Sequence, residues 1–148
     1  MPFNPRGAVE RRQADQFLRI VWVVMFFWLF LYLVVLKMIS INTVSTPPQS
    51  VQLAFALLGM GTAAAAVYLR FVRIARVIES VEPIDDLALV AKIRATYIVC
   101  FVLAEATSLF GFGLAFIRGD PRIYGSLYLG GVVLMLLCYP RLPAYEVK

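Results

Sequence analysis

The stretch Ile93-Arg-Ala-Thr-Tyr97-Ile-Val-Cys100-Phe-Val-Leu-Ala-Glu105-Ala-Thr-Ser108-Leu-Phe-Gly111-Phe-Gly-Leu-Ala-Phe-Ile117 decides the fold. A membrane-spanning helix needs ~20 predominantly apolar residues, and this run is long and apolar enough. It nevertheless carries a carboxylate, Glu105, near its middle. A charged side chain at the bilayer centre costs roughly 2.5–3.5 kcal/mol on insertion scales, so such residues are rare and face a partner or a cavity. Glu105 follows Arg94 by 11 positions. That puts it ~16 Å along a helix, near the midplane of a ~30 Å hydrocarbon layer.

The rest of the chain shares this character. Of its 148 residues, 61% are hydrophobic and 16% charged, against about 45–50% and about 25% in soluble domains. The formal charge of +5 does not indicate nucleic acid, because the basic residues flank apolar runs instead of forming one patch. No histidine is present, which removes the usual haem and zinc ligand and the usual general base at neutral pH. Cys100 and Cys138 form no CxxC pair and are expected as free thiols filling apolar space. The residues therefore predict no cofactor, no metal site and no enzyme.

Three further spans surround the central one. Span one (about 18–41) is aromatic, with Trp22, Phe26, Phe27, Trp28, Phe30 and Tyr32, and has no small residue before Ser40. Small residues let helices approach closely in lipid, so this helix is predicted at the periphery, against lipid or a partner. Its apolar run exceeds the roughly 7–15 residues of a signal-peptide core, which predicts an uncleaved span. A polar head, residues 1–19, precedes it. Pro2 and Pro5 argue against helix at its start, and Gln13 to Arg19 are expected to begin the helix. Span two (about 47–78) opens with Thr46 as N-cap, Pro47 in the first helical position and Gln49 as a capping-box residue. Its centre pairs Gly59 with Ala63 and Gly61 with Ala65, a small-xxx-small spacing that marks close helix contact. Beyond it, Arg70, Arg73 and Arg76 alternate with Phe71, Ile74 and Ile78. That pattern predicts an amphipathic extension in the headgroups and candidate contacts to anionic lipids, about 1 kcal/mol each. Ser80 to Pro83 should break the helix, and Asp85 or Asp86 should cap span three (about 87–117). Span four (about 123–139) has a small face, Gly125, Gly130 and Gly131, and Gly111 on span three is a further candidate for helix packing. Pro140 and Pro143 end it. Tyr32, Tyr68, Tyr97, Tyr124 and Tyr139 fit interfacial belts.

These readings predict an all-α integral membrane four-helix bundle, residues 20–148 forming one domain, with spans two and three as its tight central hairpin. Eleven of the fourteen Lys and Arg fall in the head, the loop of about 70–94 and the tail. The positive-inside rule puts these, and both termini, in the cytoplasm. A multi-pass protein of the bacterial inner membrane is expected.

Glu105 has two readings. Thr62 lies at similar depth on the antiparallel neighbour, and Ser108 is one turn on from Glu105. Together these three would make a proton or cation site. Alternatively the carboxyl is carried in its neutral form and locks helices by hydrogen bonding. Residues 51–118 also resemble a known hairpin. A Gly/Ala-rich helix, Gly59 to Ala66, precedes a basic loop. The return helix reads Lys92-Ile-Arg94-Ala-Thr96, Ala104-Glu105-Ala106, Phe110-Gly111 and Ala115-Phe116. This is similar to the rotor-ring (c-type proteolipid) subunits of rotary ATP synthases. The resemblance implies that Glu105 is the ion-binding carboxylate of a proton- or cation-translocating protein. With no catalytic constellation, the residues favour a non-catalytic accessory or scaffolding subunit that packs against other membrane subunits or itself.

Overall fold

The computed structural model describes residues 5–38, 47–79, 87–117 and 120–140. Helix α1 is Pro5–Met38 and α2 is Gln49–Tyr68. A π-helical turn, Leu69–Arg73, continues α2 into the short α3, Ile74–Glu79. Helices α4, Leu87–Phe116, and α5, Pro121–Leu137, complete an all-α four-helix bundle. The stretches Arg12–Met38, Gln49–Arg76 and Val90–Phe116 are each long and apolar enough to cross a membrane, which marks a membrane protein. α5 is shorter. Its 17 residues rise ~26 Å, slightly less than a ~30 Å hydrocarbon core.

α4 is the hub. It packs against α1, α2 and α5, while α1 and α2 do not touch among the described residues. Side-chain pairs set the directions. The Arg94 guanidinium lies 3.8 Å from the Phe17 ring centre and the Tyr32 ring meets Phe112 at a tilt, so α1 and α4 run parallel. Thr62 meets Thr107 and Phe55 meets Phe110, so α2 runs antiparallel to α4. Gly111 lies against Tyr124 and Tyr128, and Gly131 against Ala104 and Ser108, so α5 is antiparallel too. The beginning of α1, the end of α2, the beginning of α4 and the end of α5 therefore share one end of the bundle. Arg19, Arg70, Arg73, Arg76, Lys92 and Arg94 belong to that end; Lys37 and Arg122 belong to the other.

Lipid gives little hydrophobic drive for helices to associate, so close packing and interhelical hydrogen bonds carry the bundle. The closest approach is α4 on α5, not the α2–α4 pair that the sequence suggested. A Cβ on Gly111 would sit 2.7 Å from Tyr128 N and 2.8 Å from Tyr124 O, and one on Gly131 would meet Ser108 Oγ and the Ala104 carbonyl. Gly59 packs on the Leu127 side chain, with its Cβ position 2.6 Å from Cδ2. Gly61, Gly125 and Gly130 have nothing within 4 Å, so three of the expected packing glycines take no part. In the Gly/Ala run, Ala66 is the fully buried residue, with Ala63 packed beside it.

α1 differs from expectation at its start. It begins at Pro5, because proline suits the first helical turn, where its missing N–H is no loss. The polar head is also continuous with the core: Ala14 and Leu18 are buried. They begin a seam continued by Val21, Trp22, Met25, Leu29 and Tyr32. The outer face of α1 is exposed, matching the predicted periphery. α2 begins at Gln49 with Pro48 at the N-cap and no side-chain cap; Thr46 lies outside the described residues, as do Ser80 to Pro83, Asp85, Asp86 and Pro143. Gln52 does the local work instead, donating from Nε2 to Pro47 O and accepting from Asp120 N. α5 starts two residues earlier than expected because Asp120 caps it, accepting from Arg122 N at 2.8 Å, with Pro121 in the first turn.

Candidate functional site

Glu105 is half-buried on α4, at the seam with α1. The Tyr32 hydroxyl donates to its Oε1 at 2.8 Å. The Tyr32 ring lies 5.2 Å from the Phe112 ring, which in turn lies 6.2 Å from Phe116. Oε2 takes no hydrogen bond among the described residues. Val102 and Leu109, a turn before and after Glu105, are exposed. The half-buried carboxyl thus lies at the edge of the outward stripe of α4, with one oxygen tied to α1.

Thr62 and Ser108 do not join it. Thr62 Oγ1 shares a 2.9 Å hydrogen bond with Thr107 Oγ1 and approaches Gly59 O. Ser108 Oγ donates to Tyr128 O at 3.1 Å. A helix turns ~100° per residue, so Glu105 faces α1, Thr107 faces α2 and Ser108 faces α5. The expected Glu105–Thr62 bond is absent because α2 packs on the threonine side of α4. Tyr32 was the residue missed. Its place in the sequence suggests an interfacial belt, but it stands 13 residues beyond Arg19, about the depth of Glu105 rather than the membrane surface.

Other polar links fasten the same seam. Trp22 Nε1 donates to Met135 O at 2.7 Å, and the Tyr128 hydroxyl donates to Leu29 O. At the basic end, Arg70 Nε donates to Leu137 O at 3.1 Å, and the guanidinium lies 5.6 Å from the Tyr97 ring centre. Arg70 therefore satisfies a carbonyl at the C-terminus of α5, so it is not a free headgroup arginine; Arg73 and Arg76 remain exposed. Tyr97 is fully buried, so it belongs to the core rather than a belt. Cys100 and Cys138 are free and buried beside this cluster, with Cys100 Sγ 3.9 Å from Ala66 O. Among the described residues, no group of three or more His, Cys, Asp or Glu is placed to hold a metal ion.

No family model, curated protein or solved structure matches the chain. The functional argument therefore rests on these residues.

Proposed function

We propose that this protein is a non-catalytic, multi-pass subunit of the bacterial cytoplasmic membrane, its basic end inside, that packs against other membrane subunits or copies of itself. One observation carries this reading: α1 gives its own bundle a single seam and turns a large aromatic face outward. Phe27 is 67% exposed, Trp28 46% and Phe30 53%. Aromatic side chains are enriched at protein interfaces, and the uncontacted Gly61 and Gly130 add sites of close approach. The experiment is extraction in mild detergent followed by native mass measurement. A fixed-ratio assembly is expected. A bare monomer, with native lipid retained, would sink the proposal.

A second reading is favoured by the half-buried carboxyl. Glu105 would exchange a proton in the membrane, as its rotor-ring resemblance implies. A metal cation needs a shell of several oxygen ligands, and with Thr62 and Ser108 turned away the proton is the ion this group suits. Hydrophobic carbodiimide should then label Glu105, less so as pH rises and the proton is lost. Labelling that ignores pH rejects the exchange.

A further inference from the structure

We propose that Cys100 and Cys138 are a modification site, a dithiol that a small uncharged hydroperoxide converts to a disulfide between α4 and α5. The packing of α4 on α5 sets the two thiols against each other. Gly111 lies against Tyr124 and Tyr128, and Gly131 against Ala104 and Ser108. The same antiparallel register, carried one turn toward the basic end, brings Cys100 opposite the last turn of α5. Cys138 stands there as the C-cap residue. The two side chains are hydrogen-bonded to each other across the interface. Both are buried, and both are free thiols. A reacting group held beside its partner in this way needs no diffusive encounter, which favours the bond within the chain over one between chains.

The surroundings suit the pair to this chemistry. The thiolate is the attacking form, and reactive cysteines stand beside a positive charge. Arg70 brings one: its Nε is fixed on Leu137 O, next in sequence to Cys138, and its charge acts on both sulfurs. Access comes at the helix end. Cys138 closes α5, and helix termini open locally at the least cost. Val99 and Leu137, the chain neighbours of the two cysteines, are exposed apolar residues, so the approach is through lipid-like surface. A small uncharged oxidant fits that route, and a charged reagent does not. Cys100 Sγ also points to Ala66 O, so Cys138, at the outer end, makes the attack and Cys100 resolves it. The Cys138 sulfur takes the terminal oxygen of the hydroperoxide. The O–O bond breaks, and the alkoxide leaves with the Cys138 proton as an alcohol. Cys100 sulfur then attacks the Cys138 sulfenic acid. The S–O bond breaks as the S–S bond forms, and hydroxide leaves with the Cys100 proton as water. Two thiols are oxidised by two electrons and one O–O bond is reduced.

The test uses tert-butyl hydroperoxide and the reduced full-length protein in nanodiscs. The intact mass should fall by two hydrogens, digestion should yield Cys100 and Cys138 joined, and dithiothreitol should restore the starting mass. Cys100→Ser removes the resolving thiol, so Cys138 should stop as a sulfenic acid that dimedone captures, and pass to sulfinic acid in excess oxidant. Arg70→Gln should slow disulfide formation several-fold, and Arg70→Lys should recover part of the rate, both with unchanged helicity. Wild-type protein that keeps both thiols under the hydroperoxide overturns the proposal. A disulfide between two copies, or sulfinic acid formed in the wild type without linkage, overturns it too. A rate untouched by Arg70→Gln overturns the part given to Arg70. If Cys100→Ser does not fold, the wild-type mass and linkage decide.

Discussion

Tyr32 and Glu105 illustrate what single residues do in this protein. Their hydrogen bond joins α1 to α4 in a medium with no water to replace it. Interhelical hydrogen bonds in membranes average ~0.6 kcal/mol and reach ~1.7 kcal/mol. Tyr32→Phe is therefore expected to destabilise the protein within that range, read from unfolding in mixed micelles. A cost of zero would mean that Glu105 finds another donor. The glycines divide more sharply. Gly111→Ala and Gly131→Ala push a methyl into opposing backbone, and overpacking of this kind costs roughly 1–3 kcal/mol. Gly61→Ala and Gly130→Ala meet nothing within 4 Å and should be close to neutral in the same assay. The sequence spacing cannot separate these pairs, because small-xxx-small identifies a stripe but not which neighbour it faces.

The helices themselves were legible, because hydropathy over some twenty residues is a strong signal and α2, α4 and α5 lie close to where it put them. Their pairing was less so. A run of small residues on α2 suggests the central contact, yet α4 packs closest on α5, where Gly111 and Gly131 both lie against opposing backbone. Gly59 shows the difference in kind. Its Cβ position meets only the flexible end of Leu127, so Gly59→Ala should cost less than Gly111→Ala in a matched unfolding series. α1 is held by Trp22 to Met135 O, Tyr128 to Leu29 O and Tyr32 to Glu105. None of these partners can be read from the aromatic run alone, since each depends on register with a helix more than 70 residues away. Trp22→Phe with Tyr32→Phe should loosen α1 selectively. The measurement is hydrogen exchange, with protection falling in α1 and persisting in α4. Uniform loss across both helices would contradict a separately attached α1.

At the scale of the molecule, most of the described basic residues gather at one end, and that asymmetry predicts topology. A cysteine placed at Arg76 should react with a membrane-impermeant thiol reagent from the cytoplasmic side, and one placed at Lys37 from the opposite side. Cys100 and Cys138 are buried and add little background. Reaction of both on the same side would contradict the orientation. Charge spacing makes the clustering of basic residues legible in the sequence, whereas the Glu105 seam is not, because α1 and α4 are distant in sequence and parallel in space. That separation bears on how the chain is made. α1 leaves the ribosome before the other helices, but among the described residues it touches α4 and α5 and not α2. At translation rates of roughly 5–20 residues per second, it must wait on the order of several seconds with Trp22 and Tyr32 still without their acceptors. An insertase or membrane chaperone that shelters nascent helices would find its natural client in this segment.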